Sequence, residues 1–311
     1  MINVKRHIFF TAIALSIIFS GESVFSESNI SETGKTGLSF LNIAPSSRIG
    51  SLGGVGCAFS NGASSIWSNP ALIASQEEKS AQFSHTEWIE GIKQEYAAFS
   101  SRIDYGSIGI AVQLFDSGDI DGRDDYGGST GSYSIKNTAL SISYASTLFD
   151  MIDWGLAYKK LYQKVSDETA GGYAIDGGVT VHTPLNGLYL AAVARNYGHM
   201  SKLRNERTKL PSNVCVGGLY SGIAPGIDRS FSALADIVFP RYGNTGIRLG
   251  LEVEAVDYFS LRIGYRNDSD FEDFSFGAGF AWEMVSIDIA YTPMNNISDD
   301  AIRFTLCLTG F

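Results

Sequence analysis

The charged residues best able to do chemistry fall into two groups. Arg48 stands alone among glycines and small residues in the stretch 46–74, SSRIGSLGGVGCAFSNGASSIWSNPALIA. Toward the C-terminus, Arg248, Glu252, Glu254, Arg262, Asp288 and Arg303 sit at polar positions that alternate with apolar ones. A guanidinium forks onto a carboxylate, so this set can form an ion-pair network that braces a neighbouring segment, or it can recognise a ligand. Arg48 can join the same network or hold a carboxylate head group.

Other chemistries find little support. After a secretory leader is removed the histidines are His85, His182 and His199, and none stands in H-E-x-x-H or a comparable ligand spacing. His85 and His182 can face an interior, but no nucleophile motif flanks them, so no enzyme activity is expected. Cys57, Cys215 and Cys307 form no CxxC and leave one thiol over whatever pairs, so they read as small buried residues rather than a disulfide framework. Asp119, Asp121, Asp124 and Asp125 cluster in one loop, but Gly122 follows Asp121 directly and the EF-hand order is absent; a solvated loop competes with a calcium site. No metal and no cofactor are expected. A formal net charge of −10 argues against a nucleic-acid partner.

The elements that position these residues follow from patterning. Lys5 and Arg6 precede the apolar run 8–19 and a polar stretch follows, the order of a signal peptide, with cleavage after Ser20 or Ser26. We assign 1–26 to that signal. The run is too short for a spanning helix, which takes about 20 residues. No later stretch is long and apolar enough for one either.

Residues 27–78 hold the glycine-rich segment. Gly50, Gly53, Gly54, Gly56 and Gly62 disfavour a stable helix, and Pro70 fixes φ and lacks a donor, so a compact irregular chain pressed on other backbone is expected. Asn69 and Pro70 close it, and Trp67 precedes them.

From 79 to 311 the period is two. Phe274, Phe276, Ala278, Phe280 and Trp282 alternate with Ser275, Gly277, Gly279 and Ala281. That alternation suits a strand between lipid and lumen. Strands fall near 79–90, 92–103, 106–115, 132–147, 153–165, 171–183, 188–195, 213–221, 230–238, 246–255, 258–266, 273–282, 285–292 and 301–311, fourteen in all. With both ends on one side, the long connections 116–131 and 196–212 fall at one end of the barrel and the short ones at the other, with 222–229 the longest of the short-turn set. The fold class is therefore all-β, a transmembrane antiparallel barrel, to which the resemblance given next adds an N-terminal hatch in its lumen.

The arginine followed by G-x-x-G-G, small residues and W-x-N-P-A-L resembles the N-terminal segment of FadL-type and PorV-type outer-membrane barrels, where it forms a hatch. The runs 160–165 (KLYQKV) and 172–178 (GYAIDGG), Leu210-Pro211, 261–265 (LRIGY) and 287–291 (IDIAY) resemble the PorV-like branch, so the likeness spans the mature chain. The resemblance implies uptake of hydrophobic small molecules such as long-chain fatty acids, gated by Arg48, Gly53, Gly54, Trp67, Asn69 and Pro70. Its alternative is a PorV-like role in protein export or surface attachment through a docked partner. An apolar pocket under the hatch would favour transport, and a polar, filled lumen with extended outer loops would favour docking.

Phe311 fits the aromatic terminus that the barrel-assembly machinery reads, but Thr305, Cys307 and Thr309 share its phase rather than apolar residues. A one-residue bulge at Gly310 would restore the pattern. Outer-membrane lipid is the other expected partner. The mature chain is expected in the outer-membrane fraction, with a folded band in unheated detergent gels that shifts on boiling; recovery from the soluble periplasm would exclude the barrel.

Overall fold

Fourteen antiparallel strands close on themselves in the computed structural model, which describes residues 36–59, 62–224, 226, 228–295 and 299–311. The strands are β1 Ser80–Glu87, β2 Lys93–Ile103, β3 Gly106–Asp116, β4 Ile135–Leu148, β5 Ile152–Val165, β6 Glu168–His182, β7 Leu188–Met200, β8 Asn213–Ala224, β9 Arg229–Pro240, β10 Gly246–Val256, β11 Phe259–Arg266, β12 Phe274–Trp282, β13 Val285–Thr292 and β14 Ala301–Thr309. Each pairs with the next, and β1 pairs with β14 from Ser80 opposite Thr309 to Glu87 opposite Ile302. Closure removes the unpaired edges that hydrocarbon would not tolerate. The expected signal peptide, 1–26, and the first residues assigned to the hatch lie outside the described residues.

The alternation has a physical sense. Phe276, Phe280, Ile287, Ile289, Phe304 and Leu306 point outward and are exposed, while Asp288, Arg303 and Thr305 on β13 and β14, and Arg262 on β11, are buried in the lumen. Lipid is the solvent for the first set. Tyr105, Phe149, Tyr258 and Trp282 ring the short-turn end, as aromatic residues do at a membrane interface. The strands from β4 to β9 have 12–15 residues, against 8–9 in β11 to β14, so the wall is taller on that side.

Several boundaries differ from the sequence expectation. Strand β7 continues to Met200 because a register shift opposite Ile175 and Gly177 lets it pair on past Asn196, which takes φ 61°. The two long connections are not bare loops: each carries a small hairpin, Ile120–Arg123 with Ser129–Tyr133, and Lys202–Leu203 with Glu206–Arg207. β14 ends at Thr309 with no ladder bulge at Gly310. Gly310 instead takes φ 77° and turns Phe311 outward against Phe99, ring centroids 6.3 Å apart. His85 shares the outward phase of Phe83 and pairs with Glu95 at 2.6 Å, so it does not face the lumen. His182 does, with Asp153 at 2.8 Å.

Inside the barrel lie the described residues between Thr36 and Gln76, which are 36–59 and 62–76. They are not wholly irregular: α1 (Ser47–Ser51), α2 (Ser65–Ser68) and two 3-10 turns, Ser39–Asn42 and Pro70–Ile73, punctuate them. Each is about one turn long, because the glycines between them stop propagation. Three apolar layers join segment to wall. Leu38, Phe40 and Leu41 meet Leu161, Ala174 and Met200; Ile49, Ile66 and Trp67 meet Tyr96, Ala98 and Ala145; Leu52, Val55 and Phe59 meet Val193, Leu219 and Leu234.

The wall makes room with glycine. A Cβ on Gly264 would lie 1.9 Å from Gly53 N, on Gly178 1.9 Å from Asn69 Oδ1, on Gly277 2.4 Å from Ser51 Cβ, and on Gly155 2.5 Å from the Pro70 carbonyl carbon. Gly264→Ala is therefore expected to lose at least about 3 kcal/mol, since backbone opposite backbone has no rotamer to yield. Gly171→Ala, whose Cβ would meet nothing closer than 3.8 Å, is expected to be nearly neutral. The midpoint of the heat-induced gel shift compares the two.

Candidate functional site

The site lies where the lumenal segment meets the charged strands. α1 begins after Ser46, whose φ of −92° and ψ of 134° mark extended chain, and its single turn aims Arg48 at β10. There Arg48 Nε donates to Glu252 Oε2 at 2.8 Å and Nη2 to Oε1 at 2.5 Å, the bidentate fork that a planar guanidinium allows. The same guanidinium stacks over the Phe59 ring, 4.4 Å from its centre. Glu252 also accepts from Arg262 of β11, and Arg262 Nη1 donates to Asp288 of β13 at 2.6 Å. Four of the sequence candidates thus form one chain of alternating charge, Arg48, Glu252, Arg262 and Asp288, that links the segment to three strands.

Arg248 belongs to a second cluster near the long-loop end. It donates to Asp268 Oδ2 from Nη2 at 2.6 Å and to the Gly54 carbonyl from Nη1 at 3.2 Å, and Arg266 Nε donates to Asp268 Oδ1 at 2.7 Å. Burial by itself would raise the Asp268 carboxyl, but the Arg248 and Arg266 charges and hydrogen bonds together outweigh it and hold that group well below the usual carboxylate range.

Arg303 joins neither cluster. Its Nη1 donates to Thr292 Oγ1 at 2.8 Å, its guanidinium lies 4.8 Å from the Trp88 ring centre, and no carboxylate pairs with it among the described residues. Its stem fills the space beside Gly50, where a Cβ would stand 2.9 Å from Arg303 Cδ.

The remaining candidates hold the segment's shape. Gly53 (φ 71°) donates its N–H to Ser275 Oγ at 2.9 Å and leaves no room for a side chain against the Tyr265 backbone. Gly54 takes φ 77°. Trp67 Nε1 donates to the Leu41 carbonyl at 3.0 Å, with Arg195 over its ring. Asn69 caps the turn that Pro70 opens: Oδ1 accepts from Ala71 N at 3.0 Å, while Nδ2 donates to the Cys57 carbonyl at 2.8 Å and to Thr180 Oγ1 at 3.4 Å. Phe311 lies far from this region, on the outer surface. The acidic loop is solvated, with Asp124 Oδ1 accepting from Tyr126 and Gly128 N–H to close a turn.

Two residues that sequence reasoning missed matter here. Asp236 Oδ2 accepts from Gly56 N and Cys57 N at 2.9 and 3.0 Å, and Asp268 supports Arg248. Asp236 had a signal, an acid at an inward position in the otherwise apolar 233–239. Asp268 had none, being one carboxylate in a loop.

Cavities lie on both sides of α1. Toward the long-loop end a cavity of about 460 Å³ is lined by Gly50, Gly54, Trp88, Arg248, Phe271 and Arg303, among others. Toward the short-turn end two cavities of about 330 and 360 Å³ both touch Arg48. An apolar groove of about 540 Å³, lined by Phe83, Leu114, Ile287 and Phe304, is on the outer surface instead.

The model of an uncharacterised protein family, UPF0164, matches residues 19–199, more than half the chain. Among solved structures the chain is similar to the toluene transporter TodX of Pseudomonas putida, with 10% identity, TM-score 0.61, and coverage of 84% of this chain and 96% of that one. It is similar also to the toluene transporter TbuX of Ralstonia pickettii (13%, TM-score 0.60, 87% and 99%) and to a FadL homologue of Pseudomonas aeruginosa (11%, TM-score 0.56, 86% and 98%). No curated protein matches the sequence. The fold is that of FadL-type outer-membrane barrels.

The Asp268 carboxylate generates a pH prediction. Its folded-state value is depressed, so its contribution is present above the ordinary carboxylate value of about 4 and is lost as pH falls toward the folded value. Asp268→Asn is expected to lower stability by about 3 kcal/mol at pH 7, since it strands two partly buried guanidinium groups. The gap between wild type and variant is expected to narrow by pH 3, as measured by the heat-shift midpoint.

Proposed function

We propose that this chain, which belongs to the uncharacterised protein family UPF0164, is an outer-membrane channel for hydrophobic small molecules whose gate is the lumenal segment 36–76. The observation that carries the reading is the partition of the lumen by α1, with the larger cavity at Gly50 and Gly54 on one side and the smaller pair at Arg48 on the other. The short-turn end, where the barrel begins and ends, is assigned to the periplasm, and the hairpin-bearing end to the exterior. Two of the similar solved structures are toluene transporters, which supports a hydrophobic cargo.

The outer cavity suggests the class more narrowly. Arg303 presents a guanidinium without a carboxylate partner among the described residues, beside Trp88, Ile43 and Phe271. A carboxylate head group on an apolar tail matches that combination, so long-chain fatty acids are the first ligands to test. The Arg48–Glu252 fork would then open as the segment shifts. Phe311 is assigned to recognition by the barrel-assembly machinery, and residues 1–26 to a cleaved signal.

A second reading has its own observation. The cavities on the short-turn side of α1 carry many charged and polar side chains, Arg48, Glu252, Glu254 and serines beside Phe231 and Tyr258 in one, and Arg48, Gln76, Glu77 and Glu78 in the other. Tyr126 is almost fully exposed and the strand Ser129–Tyr133 is exposed along its length at the long-loop end. A polar, filled lumen with projecting hairpins suits a docking platform for a protein partner.

Asn69→Ala combined with Pro70→Ala is expected to insert normally but to alter fatty-acid uptake or leak small solutes, because it removes the cap and the rigid turn without touching a strand. Arg303→Met is expected to weaken fatty-acid binding roughly tenfold while sparing an uncharged hydrocarbon, the worth of one charge-assisted contact. Uptake and permeability unchanged in a properly inserted double variant would move the assignment to docking.

A further inference from the structure

Three side chains that the channel reading leaves unused meet in the apolar layer between the lumenal segment and the β8–β9 wall. Cys57 comes from the segment, Cys215 from β8 and Asp236 from β9, and each is 2% exposed. The two Sγ atoms and a carboxylate oxygen all lie within 4.8 Å of one another. Leu52, Val55, Leu234 and Val238 surround them, so water does not compete for these groups.

Asp236 supplies a second, independent observation. Its Oδ2 accepts two backbone N–H groups, as described above, but its Oδ1 receives no hydrogen bond among the described residues. A buried acceptor without a donor is costly, and a carboxylate oxygen more so. The wall nevertheless keeps space for it: a Cβ on Gly217, directly opposite on β8, would lie 1.9 Å from Oδ1. A buried carboxylate oxygen with no donor among the described residues, on a side chain whose carboxylate lies within 4.8 Å of two thiols, is arranged for a cation.

We propose that Cys57, Cys215 and Asp236 bind a thiophilic divalent cation, with Zn²⁺ as the probe, and that the ion ties the lumenal segment to the barrel wall. Tetrahedral Zn²⁺ holds thiolates at about 2.3 Å, which places two sulfurs about 3.8 Å apart, so closing the observed cluster takes side-chain shifts of about 1 Å. Two thiols and a carboxylate form the soft, anionic donor set that selects zinc over calcium or magnesium. The Cys215 carbonyl oxygen, which accepts from Cys57 Sγ at 3.5 Å, is a further ligand atom within reach. Binding releases the two thiol protons and involves no electron transfer. Because one ligand is on the segment and two are on the wall, the site exists only when the segment is seated, and the ion stabilises that state by mass action. This inference does not depend on what the barrel carries.

The full mature chain, refolded in detergent in the presence of Zn²⁺ and then desalted, is expected to retain one ion. With Co²⁺ in its place, the wild type is expected to show the near-ultraviolet charge-transfer absorption of cobalt–thiolate bonds, a readout that needs no variant. Cys57→Ala, Cys215→Ala and the isosteric Asp236→Asn are each expected to weaken retention at least roughly tenfold, since even outer-shell changes cost that much. Cys307→Ala, on the far wall beside Ser80, is expected to change nothing. The heat-shift midpoint should rise with zinc in wild type and in Cys307→Ala only. Absence of the cobalt–thiolate band, equal zinc retention in the Cys57/Cys215 double variant, or a Cys57–Cys215 disulfide with a mass two hydrogens lower in the refolded protein would each overturn the proposal.

Discussion

The contact on which the rest of the structure depends is main chain against main chain inside the barrel. Fourteen strands enclose more space than their own side chains can fill; about eight is the limit for that. Here the space is taken by residues 36–59 and 62–76, and two backbones can approach so closely only where no Cβ stands between them. Gly264 against Gly53, and Gly155 against Pro70, are such places. The glycines of the strands are therefore as much part of the lumenal segment's binding surface as the segment's own residues are.

Charge does the second part of the work. An ion in the lumen is cut off from bulk water, so it must be paired or hydrogen-bonded. Arg48 is answered by Glu252, Arg262 by Glu252 and Asp288, and Arg248 by Asp268 and the Gly54 carbonyl. The pairs that cross from segment to wall are polar and directional, and polar pairs can exchange partners with water if the segment shifts. The apolar layers at Leu38–Leu41 and Leu52–Phe59 have no such alternative and resist withdrawal. The segment is thus anchored by apolar contact along most of its length and held by exchangeable polar contacts at α1, where cavities lie on both sides.

Position along the wall gives each arginine a different part. Arg48 and Arg262 are closed into an alternating chain that carries no spare charge, whereas Arg303 hydrogen-bonds a hydroxyl, faces an aromatic ring and keeps capacity for an anion. Residues of one type on the same inward face thereby divide between holding the segment and facing the outer cavity.

Much of the architecture was legible in the chain because barrel strands report themselves one residue at a time. Lipid on one side and lumen on the other impose a period of two, and all fourteen strands, the even count and the side on which the long connections fall could be read from it. The motif from Arg48 to Pro70 likewise marked a segment that must press against backbone, since glycine and proline act locally. Pairing could not be read. Whether Arg303 meets a carboxylate, whether Asp268 supports Arg248, and that Cys57, Cys215 and Asp236 converge all depend on how the segment is rotated in the lumen and on the stagger of strands far apart in sequence. His85 was misjudged for the same reason: facing is set by where pairing begins and ends. Local periodicity determined the barrel, and only the seating of one segment within it decided which groups meet.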